Sequence, residues 1–121
     1  MGSIATIRRR LKGRIRMAAG IASKRAVGER LRLTRVALGR LKKEAEVGQA
    51  EFYRRAGISS QAGNNYEQGT RRISLDKAID LCEAYNTPHH LTLEWIYRDD
   101  HSTLEPTLQQ AIVDTRGSKK S

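Results

Sequence analysis

Residues 48–69 read GQAEFYRRAGISSQAGNNYEQG, and the fold follows from how that stretch is parsed. Ala50, Phe52, Tyr53 and Ala56 set apolar side chains at helix-like spacing, which predicts a short helix over 49–56. Gly57 can take the left-handed backbone that stops such a helix. Ile58 is a single apolar residue between two breaks, suited to plug the angle between two helices. Ser59 or Ser60 then serves as N-cap for a second short helix, which ends at Tyr66 or Glu67 and is closed by Gly69. Two helices joined at a steep angle by a tight glycine-containing turn form a helix-turn-helix.

Gln49-Ala50-Glu51-Phe52, Ala56-Gly57-Ile58-Ser59 and Asn65-Tyr66-Glu67-x-Gly69 together resemble the lambda-repressor and Cro-type (XRE-type) helix-turn-helix family of prokaryotes and their phages. Arg71-Arg72-Ile73-Ser74-Leu75 is similar to that family's basic loop into a fourth helix, and Leu93-x-Trp95-Ile96-Tyr97 to its closing helix. The likeness spans roughly residues 27–100. It joins a turn signature to matching spacings on both sides, which a lone QAEF or NNYE would not do. It implies an all-α fold: a small helical bundle of about five helices, with a basic N-terminal arm and a short C-terminal helix added. It also implies that the second helix of the motif enters the DNA major groove.

The chemistry of that helix, 60–67, supports the same use. Ser60, Gln61, Asn64 and Asn65 bring hydroxyl and amide groups, and amides carry the paired donor and acceptor that match the adenine N6/N7 edge. The helix has no Lys or Arg, so it would read bases without gripping phosphate. By family correspondence, Ser60, Gln61 and Asn65 face base edges, Gln49 contacts phosphate and steadies the reading helix, and Ser59 contacts phosphate along with backbone N–H groups. Arg54, Arg55, Arg71 and Arg72 flank the site as candidate phosphate contacts. The bland alternative is that the amides merely decorate a solvent-exposed helix face.

Two further positions follow from the resemblance. Glu67 stands where the family has an acid paired with an arginine of the first helix, and Arg35 is the matching position, so a partly buried Arg35–Glu67 ion pair is expected. Gly63 stands where the family has a bulky apolar residue. Glycine there predicts empty space, a loosely held reading helix and a gain in stability on Gly63→Ala.

At 121 residues the chain has room for one small domain and tails, and an apolar fraction of 38% suits a small helical core rather than a deep enzyme cavity. The single cysteine, Cys82, excludes an intrachain disulfide framework and points to a reducing cytoplasm. No apolar run approaches the length of a membrane span, so no membrane partner is expected. A formal charge of +10 fits a polyanionic partner, here double-stranded DNA. The charge is concentrated in residues 1–25, where Arg8, Arg9, Arg10, Lys12, Arg14, Arg16, Lys24 and Arg25 meet no acid.

That segment, 1–25, reads as an arm. Ile4, Ile7, Leu11 and Ile15 recur at three- and four-residue steps among the arginines, a basic amphipathic pattern. It fits a disordered arm that wraps DNA phosphates, an upstream start with Met17 as the true one, a membrane-surface or partner-binding helix, or a transit peptide. The domain proper is 26–100. Val27, Leu31, Thr34 and Leu38 lie on one stripe of a first helix, and residues 40–47 exceed the family pattern by about two turns. Either helix one runs through Gly39 to about Glu46, which is the favoured expectation, or a second short segment follows the glycine. Ser74 caps a helix over 75–85 whose inner side is Leu75, Ala78, Ile79, Cys82 and Tyr85. Cys82 is there an apolar filler rather than a reactive thiol. Pro88 ends this region, and His89-His90 reads as a surface loop, since adjacent histidines point to different sides and no metal-ligand spacing accompanies them. Trp95 reads as core or a dimer contact. Residues 101–121 hold a helix opened by Pro106, packed on the domain or on a second subunit, and then a polar tail.

The functional expectation is a sequence-specific transcriptional regulator, a repressor, acting as a homodimer of bacterial or phage origin. An antitoxin that binds its operator and a toxin protein is the alternative. No catalytic residue set, cofactor or metal site is expected, because Asp76, Asp80, Glu83 and the histidines lack a nucleophile–base–orienter arrangement.

Overall fold

The computed structural model describes residues 20–42 and 48–118, and among these every regular element is helical. In chain order they are α1 (Lys24–Leu41), α2 (Gln49–Arg54), α3 (Ser60–Gln68), α4 (Leu75–Ala84), α5 (Leu93–Arg98) and α6 (Pro106–Ser118), with a 3-10 turn at His101–Thr103. Four starts share one device. Ser23, Ser59, Ser74 and Thr92 each have extended backbone, and each hydroxyl accepts from the N–H three residues on. Truncating such a cap costs about 1 kcal/mol. Lys24 and Arg25 of the basic arm thus belong to the first turn of α1.

Helix α1 is the central element. Val27, Leu31, Thr34 and Leu38 are buried as the stripe predicts, and Gly28, Leu33, Ala37 and Arg35 are buried as well, because α3, α5 and α6 all pack against this helix. The helix runs through Gly39 and stops at Leu41, with Lys42 as its cap, short of the expected Glu46. The rest of the expected extension, 43–47, lies outside the described residues. Gly28 permits the closest approach in the core: a Cβ there would stand 2.0 Å from the backbone oxygen of Tyr66, so α1 and α3 meet backbone to backbone.

Polar groups inside the core are matched rather than excluded. The Trp95 indole is buried and its Nε1 donates to Thr34 Oγ1 at 2.8 Å, so Trp95 is core. Thr34 in turn donates to the Arg30 carbonyl at 2.7 Å. Buried Arg30 donates from Nε to the Ile96 carbonyl at 2.8 Å and from Nη2 to the Ile21 carbonyl, tying the start of α1 to α5. Burial holds its guanidinium below the ordinary arginine value. The C-terminal helix packs on its own chain: Leu108, Ala111 and Ile112 of α6 are buried, and α6 lies along α1.

Further expectations need correction. Leu75 (56% exposed) and Ile79 (37% exposed) of α4 face outward, whereas Ala78, Leu81 and Tyr85 face the core. The helix is rolled so that the Tyr85 hydroxyl reaches the Phe52 carbonyl at 2.8 Å and its ring stacks on Phe52. Cys82 is consequently half-buried at the border, where desolvation pushes its thiol up to about 12. Of the two histidines, only His90 is fully exposed. His89 is half-buried, its Nδ1 is buried without a hydrogen-bond partner among the described residues, and burial lowers its pKa. Another correction, at Gly63, belongs to the reading helix.

Candidate nucleic-acid interface

Local chemistry shapes the turn between α2 and α3. Gly57 has φ +73°, the left-handed conformation expected of it, and its N–H donates to the Arg54 carbonyl at 2.9 Å. Ile58 is buried beneath the turn, and its N–H donates to the Tyr53 carbonyl at 3.0 Å. Ser59 rather than Ser60 is the cap of α3. At the other end Gly69 has φ +77°, and the N–H groups of Gly69, Thr70 and Arg71 turn back toward the carbonyls of Asn65 and Tyr66. The nine-residue rod therefore has defined ends without help from tertiary contacts.

Its sides divide cleanly. Gly63 and Tyr66 face the core. Ser60 and Gln61 are exposed, and Asn64 and Asn65 are half-exposed. At about 100° per residue these four fall within one arc of about 140°. Gln68, exposed at the centre of that arc, was missed by the sequence reading. Its Nε2 donates to Asn64 Oδ1 at 3.3 Å, and the four-residue spacing from Asn64 was the available signal. The outer face of α3 thus presents a hydroxyl and four amides and no charge.

One buried carboxylate aims this rod. Glu67 and Arg35 pair through two bonds, Nε to Oε2 and Nη2 to Oε1, both at 2.9 Å, with side chains 4% and 8% exposed. The expected ion pair is present, and two further donors converge on it. Gln49 Nε2 donates to Oε1 at 3.0 Å and the Tyr53 hydroxyl to Oε2 at 2.9 Å. Side chains from α1, α2 and α3 are thereby fixed to one another through a single acid. Burial and the neighbouring Glu67 raise the Tyr53 phenol well above its ordinary value. Gln49, expected at phosphate, directs its amide nitrogen to Glu67, so in this structure it braces α3.

Gly63 overturns the picture of a loosely held helix. A Cβ at this position would lie 2.1 Å from Tyr53 Cδ2, so no vacancy exists there. The fully buried Tyr53 ring of α2 occupies that volume, and the reading helix is held close.

The basic residues flank the amide face unequally. Arg54, Arg71 and Arg72 are exposed at the end of α2 and in the loop after α3. Arg55 is exposed too, but its guanidinium lies over the Tyr85 ring at 5.0 Å from the centroid and lines a concavity with Asp80 and Glu83. It therefore sits toward α4, where acids compete for it.

A short helix projected from a compact bundle by a tight turn, amides outward and braced from behind, defines a DNA-binding unit of the helix-turn-helix class. Residues 36–95 match the family model described as a helix-turn-helix domain. Its architecture agrees with a lambda-repressor-like bundle. No curated protein and no solved structure matches the chain. No helix among the described residues is long and apolar enough to cross a membrane.

Proposed function

We propose that this chain is a sequence-specific regulator of transcription that lays α3 in the major groove of double-stranded DNA and represses by occupying a promoter. The observation that carries the proposal is the uncharged, amide-rich face of α3 set on a rigid mount, the Glu67 cluster. Ser60, Gln61, Asn64, Asn65 and Gln68 supply base-edge donors and acceptors. Ser59 and the N-terminal N–H groups of α3, with Arg54, Arg71 and Arg72, supply phosphate contacts. Arg55 joins them only by leaving Tyr85. One such unit buries a modest surface on DNA, so the protein acts as a homodimer on two half-sites about 34 Å apart. A bacterial or phage cytoplasm is the setting that the family and the unpaired cysteine favour.

The test is selection of bound duplexes from a random library by the full-length protein and by Gln61→Ala and Asn65→Ala. Each bidentate amide contact supplies ~1–3 kcal/mol of discrimination. Wild type should enrich a two-fold symmetric motif, and each variant should lose preference at one position per half-site. Enrichment of the same motif by all three proteins would remove α3 as the reader. Failure to enrich any motif would remove sequence-specific binding.

A further inference from the structure

Outside the reading helix, the least expected surface is the outer face of α4. Leu75, Ile79 and Cys82 follow one another at four- and three-residue steps, with Leu75 and Ile79 exposed and Cys82 half-buried. Beside this stripe runs a second one at the same spacing, Asp76, Asp80 and Glu83, all exposed. Across the groove from it, α5 begins with Leu93 and the exposed Glu94, whose charge reaches the Cys82 thiol. Ile79, Cys82, Leu91 and Leu93 line a concavity of about 280 Å³ between the two helices. The domain thus carries an apolar groove edged with four carboxylates, in a chain whose net charge is +10.

The chain also holds a segment with the complementary pattern. Ile4, Ile7, Leu11 and Ile15 alternate with Arg8, Arg9, Arg10, Lys12, Arg14 and Arg16, and no acid interrupts them. Residues 1–19 lie outside the described residues, but where they must join the domain is defined. Ile21 and Ala22 line a concavity with Tyr97 and Arg98 at the far end of α5. Leu93 lies four residues back along α5 from Tyr97, about 6 Å at helical rise. Residues 17–19 alone could span up to ~10 Å, more than that separation, so residues 4–16 are within reach of the groove from their point of attachment.

We propose that the acid-edged groove between α4 and α5 is the docking site for the chain's own residues 4–16. The isoleucines and Leu11 cover Ile79, Cys82 and Leu93, while the arginines meet Asp76, Asp80, Glu83 and Glu94. A second copy of the same face is the poorer occupant, because its carboxylates would stand against these carboxylates. The docked arm spends its charge on the domain rather than on a polyanion.

The test uses ¹⁵N-labelled full-length protein without DNA, so it stands apart from the DNA-reading proposal. Leu11→Asp combined with Ile15→Asp should shift the amides of residues 79–83 and 93–94 and leave α3 unmoved. The wild-type positions should be unchanged on tenfold dilution. Arg8→Glu with Arg10→Glu should produce the same shifts, and adding Asp80→Lys with Glu83→Lys, both exposed on α4, should reverse those at residues 93–94. Groove amides indifferent to the arm variants would overturn the proposal. So would shifts that vary with protein concentration, which would place the arm on a second copy.

Discussion

Gly63→Ala separates helix propensity from tertiary packing, because the two give opposite signs. Propensity alone favours alanine in a helix interior by about 1 kcal/mol. The added methyl, however, would lie 2.1, 2.5 and 2.6 Å from Cδ2, Cε2 and Cγ of Tyr53, where carbon–carbon contact is comfortable at ~3.5 Å. The ring cannot swing aside freely. Phe52 meets it edge-on at 4.8 Å between centroids, Tyr66 packs at 6.3 Å, and its hydroxyl is tied to Glu67 at 2.9 Å. Either α3 moves outward by about 1 Å or more, or Tyr53 gives up its bond to a charged partner, worth ~1.5–3 kcal/mol. Overpacking at ~1–3 kcal/mol, or the lost bond in its place, less the propensity gain of about 1 kcal/mol, leaves a net loss of about 1 kcal/mol. For a chain of this length that lowers Tm by ~3–5 °C. Thermal melts followed by circular dichroism at neutral pH measure it. A Tm equal to or above that of wild type would refute the packing argument. Repeating Gly63→Ala in a Tyr53→Ala background isolates the cause, since removal of the ring should cancel the penalty.

Three other outcomes are expected. Arg35→Met leaves Glu67 buried with only neutral donors and should cost ~3–5 kcal/mol, read as a lower urea midpoint at unchanged slope. Gly28→Ala places a methyl 2.0 Å from the Tyr66 carbonyl, where backbone cannot yield, so it should cost at least as much as the upper end of overpacking, about 3 kcal/mol, with a melt that locates the loss. Alkaline pH should destabilise the fold through Tyr53. Its folded pKa is raised, chiefly by burial, so its contribution is complete below the unfolded value near pH ~10 and is lost as pH rises through the folded value. Tm should therefore fall more steeply above that pH in wild type than in Tyr53→Phe.

Most of the reading unit was legible in the residues because its determinants are local. Gly57, Ser59 and Gly69 act within three or four residues of themselves, so the turn and the limits of α3 could be placed before any packing was known. The Arg35–Glu67 pair was legible by family correspondence alone, since 32 residues separate its partners. The same correspondence gave Gln49 as a support of the reading helix, but not the carboxylate it supports it through, and Tyr53 looked only like a core residue; their convergence on Glu67 shows how both hold α3 in place. Gly63 misled for a related reason. A small residue was read as space, but space at a helix contact depends on what the facing helix supplies.

The sequence by itself determined that this is an all-helical domain built around a helix-turn-helix, with an amide face on its second helix. Periodicity, caps and left-handed glycines are written in neighbouring residues, and each acts through backbone geometry that no distant contact needs to complete. Only the tertiary structure decided how α4 is rolled, exposing Leu75 and Ile79 while burying Leu81, and that α6 lies along α1 of the same chain. It alone decided that the Tyr53 ring fills the place above Gly63. Those outcomes depend on which side chains from remote parts of the chain compete for the same volume, and a residue carries no record of its neighbours until the helices are packed.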